Sequence, residues 1–573
     1  MSSSLVDHFS LRELGELTLR LSMFHRIQGS SGLESAASWI SDVLIDSGLE
    51  VRVRRYRYEE MKYPKPVAGW DPVSGFAELS SPVKERITDL SWAWTAVAAH
   101  SPSGDFEGRA VILDEDTVWE VLDLEGKVVV VSAKLKRLYP IMSERGAEAI
   151  LFYRDDLPPT AVPYVGLFLS PEEASAYRTP ALSIPRLWVE KIGRWLASGK
   201  EVIIKGEVRS TWRERSYAPV VEVTIGDKPA EYHLVAHYCH PGGTVNDNAS
   251  GAGALMELAL AINRAIRSGS LTLRNHSLRI VLVPEYFGTI PYLMERAAEG
   301  ASIKAAINLD MVGGNPKKTE SVLNVIRPPM LLTSAIEAAG FIEVSKALRS
   351  HPLLHVEPRS YSVGSDHDVY VINGVPAVMI NEWPDIRYHS SADWADAFDP
   401  RISRAIALAA FSAIERASSS SLTPEEQLAY YLRILSRDIA EAAEKGQDVF
   451  QAVLSMYCRY VLPRVPDIFQ LSIARNYCRY PAGGRFVRVR RVYPPVSLSY
   501  HLSKAERLRY LKWIRDKEWV GTAASLILVY GRKTASVESL RHELMGEMKR
   551  RISVKEVTTL LKFLEAAGLV ELM

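Results

Sequence analysis

The stretch from Glu231 to Ala259, EYHLVAHYCHPGGTVNDNASGAGALMELA, constrains this chain more than any other. It runs as a short apolar strand, a turn dense in glycine and polar residues, and a helix opened by Ser250 and Gly251 with small residues on one side. Units of this kind build open α/β sheets, whose ligands sit at the carboxyl ends of the strands. The strand delivers His237 at that end, with Cys239 and His240 close behind. Asp247 follows in the turn, between Asn246 and Asn248. Imidazole and carboxylate are zinc ligands. A single histidine at a strand end is more often a hydrogen-bonded structural residue, so the weight rests on what the rest of the chain supplies.

With 573 residues the chain has room for about three domains. Its 47% hydrophobic and 24% charged content is that of a folded globular protein. A net charge of +1 argues neither for nor against nucleic acid. Cys239, Cys458 and Cys478 match no disulfide framework and no structural zinc knuckle, and the last two read as buried packing residues. The first residues, MSSSLVDHFSLRELGEL, lack a basic-then-apolar signal layout. No apolar run approaches the roughly 20 residues that span a bilayer. The expectation is a cytoplasmic protein with no membrane partner.

Capping-box patterns at Ser10–Glu13 and Ser31–Glu34 precede apolar residues at helical spacing, which predicts two amphipathic helices. Glu50 to Tyr58 alternates as a strand. Residues 104–211 form a separate block with buried strands at Lys127–Ser132 and Ala149–Tyr153, and it holds no cluster of ligand-type residues. Past it the strand, turn, helix pattern returns. Leu278–Val283 ends in Pro284-Glu285-Tyr286-Phe287-Gly288, and Ala305–Leu309 ends in Asp310-Met311-Val312-Gly313-Gly314. Ala377–Ile380 ends in Asn381-Glu382-Trp383, with Tyr388-His389-Ser390-Ser391-Ala392-Asp393 close behind. Four serines at 418–421 read as a linker, and Thr423-Pro-Glu-Glu426 restarts a helix. Three helical stretches and a short strand at Gly568–Leu572 suggest a winged helix over 501–573.

His237, Asp247, Glu285, Asp310 and His389 therefore all fall at strand-end loops of one α/β unit. The chemistry that suits such a set is a pair of divalent cations bridged by one carboxylate, with Asp247 as the bridge. Two cations roughly 3.5–4 Å apart activate one water and polarise a carbonyl together.

The motifs Ala236-His-Tyr238, Asn246-Asp-Asn-Ala-Ser-Gly251, Asn308-Leu-Asp-Met311, Ser365-Asp-His367 and Tyr388-His-Ser-Ser-Ala-Asp393 resemble zinc metallopeptidase family 28, the bacterial leucyl aminopeptidase type. The likeness covers residues 1 to about 418. CHPG before NDNASG, together with PEYFG, is similar to an aminopeptidase-like subgroup with a winged-helix tail. The resemblance implies an α/β fold, a mixed-sheet αβα zinc-exopeptidase domain in two parts, 1–103 and 212–418. It also implies an inserted β-rich protease-associated-like domain at 104–211, a helical region at 419–500 and a winged-helix-like domain at 501–573. The implied cofactor is zinc, two ions per chain. His237 would bind one and His389 the other, Asp247 would bridge, and Asp310 would be a terminal ligand. A cis peptide bond is implied at Asp247–Asn248.

Three departures leave roles open. The family's pair of glutamates is Pro284-Glu285 here, so Glu285 is either a ligand with no general base beside it, the favoured reading, or the base with one ion lacking a carboxylate. Cys239 stands where an aspartate is usual. His240 is an alternative to His237. Asp366 and His367 are candidates for orienting a ligand or substrate, or for capping a helix that Ser365 could also cap. Asn381, Glu382 and Trp383 are candidates for lining the pocket, with Glu382 suited to a free α-amino group.

The expected function is a zinc-dependent aminopeptidase acting on peptides. The alternatives are a mononuclear glutaminyl-cyclase-like or amide hydrolase, and a non-catalytic ligand sensor whose winged helix binds DNA or protein. Between Arg479 and Lys517 eleven Lys or Arg residues face two acids, with Tyr480, Phe486, Tyr493, Tyr500 and Trp513 among them. Such a patch contacts phosphates or, as favoured here, another domain or a second copy of the chain, or is a solvated face.

Overall fold

The computed structural model describes residues 3–349, 351, 354–464, 486–491, 493–532 and 535–573. Its centre is an eight-stranded mixed sheet. From one edge to the other the strands are Glu50–Arg57, Tyr217–Ile225, Ser277–Val283, Ala230–His237, Ser302–Asp310, Ala377–Glu382, Leu323–Ile326 and Val356–Arg359. The four strands from Ser277 to Glu382 in this order are mutually parallel. They are almost continuously apolar because helices cover both faces. Leu11–Ser22, Gly251–Arg267 and Pro400–Ser418 pack together on one face, and Thr289–Ala298 and His367–Ile372 on the other. Parallel strands put all their carboxyl ends at one rim, and His237, Val283, Asp310 and Asn381 arrive there together.

A second, seven-stranded sheet holds Gly104–Leu113, Lys127–Ser132, Ala149–Tyr153, Ala181–Ser183 and Ile203–Arg213, with its own core around Val128, Val130, Leu151 and Leu182. It also takes in Gly69–Ser81 and Glu85–Asp89. The structural boundary of this block therefore lies near residue 69 rather than 104, because the Gly69–Ser81 strand pairs along nearly its full length with Ile203–Arg213.

Helix starts follow the capping signals closely. Ser10, Thr423 and Ser553 accept from the backbone N–H three residues on. The second helix is capped by Ser30, one residue before the expected Ser31. Past Thr423 the chain is helical, and residues 504–566 hold four helices rather than three: Lys504–Trp513, Val520–Tyr530, Val537–Met548 and Val554–Ala566. The final strand, Val570–Leu572, pairs with Phe486–Val489, which also pairs with Ala535–Ser536. Cys458, expected to be a free packing residue, is disulfide-bonded; Cys478, Arg479 and Tyr480 lie outside the described residues.

Three residues of the basic patch, at the surface, pair with acids of another part of the chain. Arg515 meets Asp116 at 2.6 Å, Lys504 meets Glu144 at 2.9 Å and Arg507 meets Glu173 at 3.5 Å, all on the second sheet's block. Tyr493 stacks on Tyr63 at 4.1 Å. A buried ion network ties the C-terminal helices to the peptidase unit. Asp438 takes Arg327 at 3.0 Å, Lys549 at 3.1 Å and the Tyr457 hydroxyl at 2.9 Å. Burial alone would raise the Asp438 carboxyl, but the cations Lys549, Arg327 and Arg437 outweigh it and hold it at about 2.

Removing one partner of a buried pair leaves an uncompensated charge. Asp438→Ala is expected to lower stability by about 3–5 kcal/mol in denaturant unfolding followed by tryptophan fluorescence. With a depressed carboxyl, the Asp438 contribution is fully present above the ordinary aspartate range. It is lost as pH falls through about 2, so the wild type's margin over Asp438→Ala should shrink in acid.

Candidate metal centre

The rim of the parallel strands carries the site. His237 is the last residue of its strand, Asp310 the last of the next, and Glu285 lies two residues past Val283. Between them the Asn246–Ser250 segment folds over the rim, with a cis peptide bond at Asp247–Asn248. Asp247 stands at the centre. Its Oδ1 lies 3.6 Å from His237 Nε2, which is itself 3.3 Å from Asp310 Oδ1. Its Oδ2 lies 3.4 Å from His240 Nε2 and 3.0 Å from His389 Nε2. Asp247 Oδ2 is buried and has no hydrogen-bond partner among the described residues.

Two sets of donor atoms centre on carboxylates, His237 with Glu285 and Asp310, and His240 with Asp247 and His389, and His237, Cys239 and His240 form a third, each set lying within 4.8 Å. The imidazoles are prepared to accept a cation. His240 Nδ1 faces the Cys239 carbonyl at 2.6 Å, so that nitrogen carries the proton and Nε2 presents its lone pair. Burial holds His240 neutral, down to about 3. It also holds His389 well below the usual imidazole range, helped by the cations Lys136 and Arg154. Burial would also lower His237, but Asp310 outweighs it and carries the imidazole well above its usual range. Burial pushes the carboxyls of Asp247 and Glu285 up. The neutral imidazoles of His240 and His389 and a partnerless carboxylate oxygen between them suit a divalent cation, and a nitrogen and oxygen donor set of this kind suits zinc.

The surrounding groups lock this geometry. The two carboxylate oxygens of Asp393 accept from the backbone N–H of Asn246 and Asp247 at 2.8 and 2.9 Å. Asn248 donates to Leu309 O at 2.9 Å and accepts from Met311 N at 3.0 Å, which ties the turn to the Asp310 strand end. A Cβ on Gly251 would lie 2.5 Å from both Asn248 Oδ1 and Leu309 O, so only glycine fits there. Arg26 is fully buried and holds the other side. It donates to Tyr238 O at 2.6 Å and exchanges two backbone bonds with His240 at 2.9 Å. His240 has φ 126° and His389 φ 53°. Such left-handed conformations cost non-glycine residues about 1–3 kcal/mol each and persist where surrounding contacts impose them.

The structure sorts the remaining candidates. Cys239 lies behind His237, with its sulfur 3.6 Å from His237 Nδ1 and within 3.3 Å of both Gln28 Nε2 and Glu285 N. Asp366 accepts from Tyr286 N at 2.9 Å and so braces the Glu285 loop. His367 faces Ser362 O at 2.8 Å and belongs to none of the donor sets. None of Ser365, Asp366 and His367 caps the following helix by a side chain; Ser365 instead accepts from Asn308 at 2.7 Å. Glu382 corrects the pocket expectation. Alternation along its strand turns it away from Asn381 and Trp383, and it accepts from Gly314 N at 2.7 Å and Asn246 Nδ2 at 3.1 Å. It stabilises the turn and lines no cavity with its neighbours.

The second sheet's block, expected to stay clear of the chemistry, reaches the site. Tyr164 sets its ring edge-on to His240 and His389, at 5.4 and 5.2 Å between centroids, and its N–H donates to His389 O at 2.7 Å. Lys136 shares a cavity of about 300 Å³ with Glu285. These residues, like Arg26, carry no local signal, because they meet the ligand loops only through chain distant in sequence.

This sheet rim and donor set have the fold of a peptidase-type hydrolase with a candidate metal site. The family model "Peptidase family M28" matches residues 220–414. No curated protein sequence matches the chain. Among solved structures, the M28 peptidase precursor from Shewanella amazonensis is similar at 16% identity and TM-score 0.54, covering 72% of this chain and 94% of that one. A zinc aminopeptidase from Bacillus subtilis is similar at 15% identity and TM-score 0.51, covering 71% and 95%. A candidate peptidase from Clostridium acetobutylicum, at 13% identity and TM-score 0.50, covers 100% of this chain and 97% of its own. At these identities the likeness is one of fold. Among the described residues no helix is long and apolar enough to cross a membrane.

Partners that orient ligands are worth about 10- to 100-fold in metal affinity. Asp393→Ala is expected to weaken zinc binding by ~10- to 100-fold in a chelator-competition titration, while the far-ultraviolet circular dichroism stays that of the wild type.

Proposed function

We propose that the protein is a zinc-dependent aminopeptidase that binds two ions, one at His237, Asp247 and Asp310, the other at His240, Asp247 and His389. The observation that carries this reading is Asp247, whose two oxygens face the two histidine groups separately. Zinc held there supplies Lewis acidity toward a water and the scissile carbonyl. With three protein donors to each ion, an open position remains for substrate.

His240 takes the place that a second glutamate would fill, which releases Glu285. Sequence favours Glu285 as a ligand, and it lies within the His237 and Asp310 donor set; in this proposal, with His240 completing the other ion's donors, Glu285 is the general base. Its carboxylate takes the proton from the attacking water and hands it to the leaving amine. Cys239 and Asp366 position it, through Glu285 N and Tyr286 N. Tyr164 and Lys136 close one side of the cleft, and the C-terminal helices close another. A cleft enclosed in this way favours a chain end over the middle of a chain, which supports exopeptidase action.

Metal analysis of the purified protein should return two zinc ions per chain, and His240→Ala one. Hydrolysis of aminoacyl anilides should stop with chelator and return with zinc. Glu285→Gln should keep both ions and lose ~10²- to 10⁴-fold in rate, the usual weight of a general base. Loss of one ion from Glu285→Gln would make it a ligand instead. One ion in the wild type, with no anilide released, would favour a mononuclear cyclase-like or amide hydrolase. No zinc uptake at all would leave a binding protein.

A further inference from the structure

The C-terminal helices do more than pack against the peptidase unit. A cavity of about 670 Å³ opens beside Asp310 and Tyr388 and is completed by Arg437, Thr522 and Met548 from the C-terminal region. Resting on the peptidase reading above, we propose that this cavity is a carboxylate subsite for short peptides, with Arg359 and Arg437 as its anion-binding groups.

Two guanidinium groups line it. Arg359 is exposed and has no carboxylate within ion-pair distance among the described residues. Asn324 Oδ1 steadies its Nε at 3.1 Å, and Asn324 in turn donates to Trp383 O at 3.0 Å. Arg437 touches Asp438 only through Nη2, at 3.3 Å, and its Nη1 is buried with no partner. Asp438 already serves Arg327, Lys549 and Tyr457, so it leaves the Arg437 charge poorly compensated. Of the acids lining the cavity, Asp310 belongs to the candidate metal centre, and Glu547 is engaged by Met330 N and Tyr530. Glu441 is exposed. With Lys549, which Asp438 engages, the lining cations number three against three acids; Arg359 and Arg437 supply the guanidinium groups, whose planar fork pairs bidentately with a carboxylate.

Volume sets the length. The cavity is within the range of small-ligand sites, about 300–1,000 Å³. One wall belongs to the C-terminal helices, which the Asp438 network fastens rather than hinges. A di- or tripeptide with its terminal carboxylate on the arginines fits this space, and a long chain meets the wall.

The test compares Leu-Ala, its C-terminal amide, and Leu-Asp amide, which carries its carboxylate on a side chain. Hydrolysis uses the zinc-loaded full chain, and calorimetric titration uses the metal-free chain. A charge-assisted pair predicts a ~10- to 100-fold preference for Leu-Ala over its amide in both kcat/KM and Kd. Arg437→Gln and, independently, Arg359→Gln should each cut that ratio by ~10-fold, whereas Arg437→Lys should retain part of it. Equal preference of Leu-Asp amide and Leu-Ala would make the carboxylate's source a side chain as well as the terminus. No preference in the wild type, no binding of either, or equal losses on acid and amide in both glutamine variants would overturn the subsite. A calorimetric preference with no hydrolysis of any peptide would keep the subsite and sink the hydrolase reading.

Discussion

Everything at the centre of this protein depends on holding one buried carboxylate between two groups of imidazoles. Asp247 cannot sit there unaided, because a partnerless carboxylate oxygen in a dry site is among the most costly groups a fold can bury. The backbone on both sides is therefore committed to fixed bonds. Asp393 takes the N–H groups of Asn246 and Asp247, and Asn248 and Ser250 take those of Met311 and Val312. Asn246 reaches Glu382, Asp385 and Gly313 N. The turn is thus sewn to the Asp310 strand end and to the His389 loop at once, and no ligand can move without the others.

The same constraint explains why an arginine, and not an apolar residue, fills the space under the His237–Gly243 loop. A loop that leaves the sheet carries backbone carbonyls with no ladder to join. Arg26 collects that of Tyr238, together with those of Leu21 and Phe24 at the end of the Leu11–Ser22 helix, and pairs its own backbone with His240. That pairing turns His240 back over the rim to meet His389 across 3.0 Å. The departure from the family's double-glutamate pattern and the extra histidine in CHPG become one change in this arrangement. A histidine from the first loop occupies the space beside His389, and Glu285 stands on the His237 side.

The outer parts of the chain are drawn into the site by charge. Basic residues between Arg490 and Lys517 pair with acids or stack on aromatic rings, many of them on the second sheet's block. The Asp438 network anchors the C-terminal helices on the other side. The candidate centre therefore lies in a cleft with three contributors, in which the peptidase unit supplies the donors and the other two supply walls.

The sequence by itself determined the parallel-strand core and the strand-end placement of His237, Asp247, Glu285, Asp310 and His389. Those signals are local: apolar runs of strand length, glycine-rich turns and capping serines act within a few residues of one another. Even so, the membership of the Gly69–Asp89 strands in the second sheet and a fourth terminal helix escaped, and strand pairing across more than a hundred residues leaves no mark in either segment alone. Tertiary structure decided which atoms converge. It brought His240 and His237 to the same carboxylate as different donors, where chain order offered them as alternatives. It turned Glu382 away from the pocket and brought Lys136, Tyr164 and Arg437 toward the cleft. The physical reason is that residue type and spacing specify a donor's chemistry, whereas the direction in which a side chain points depends on contacts made by chain hundreds of residues away.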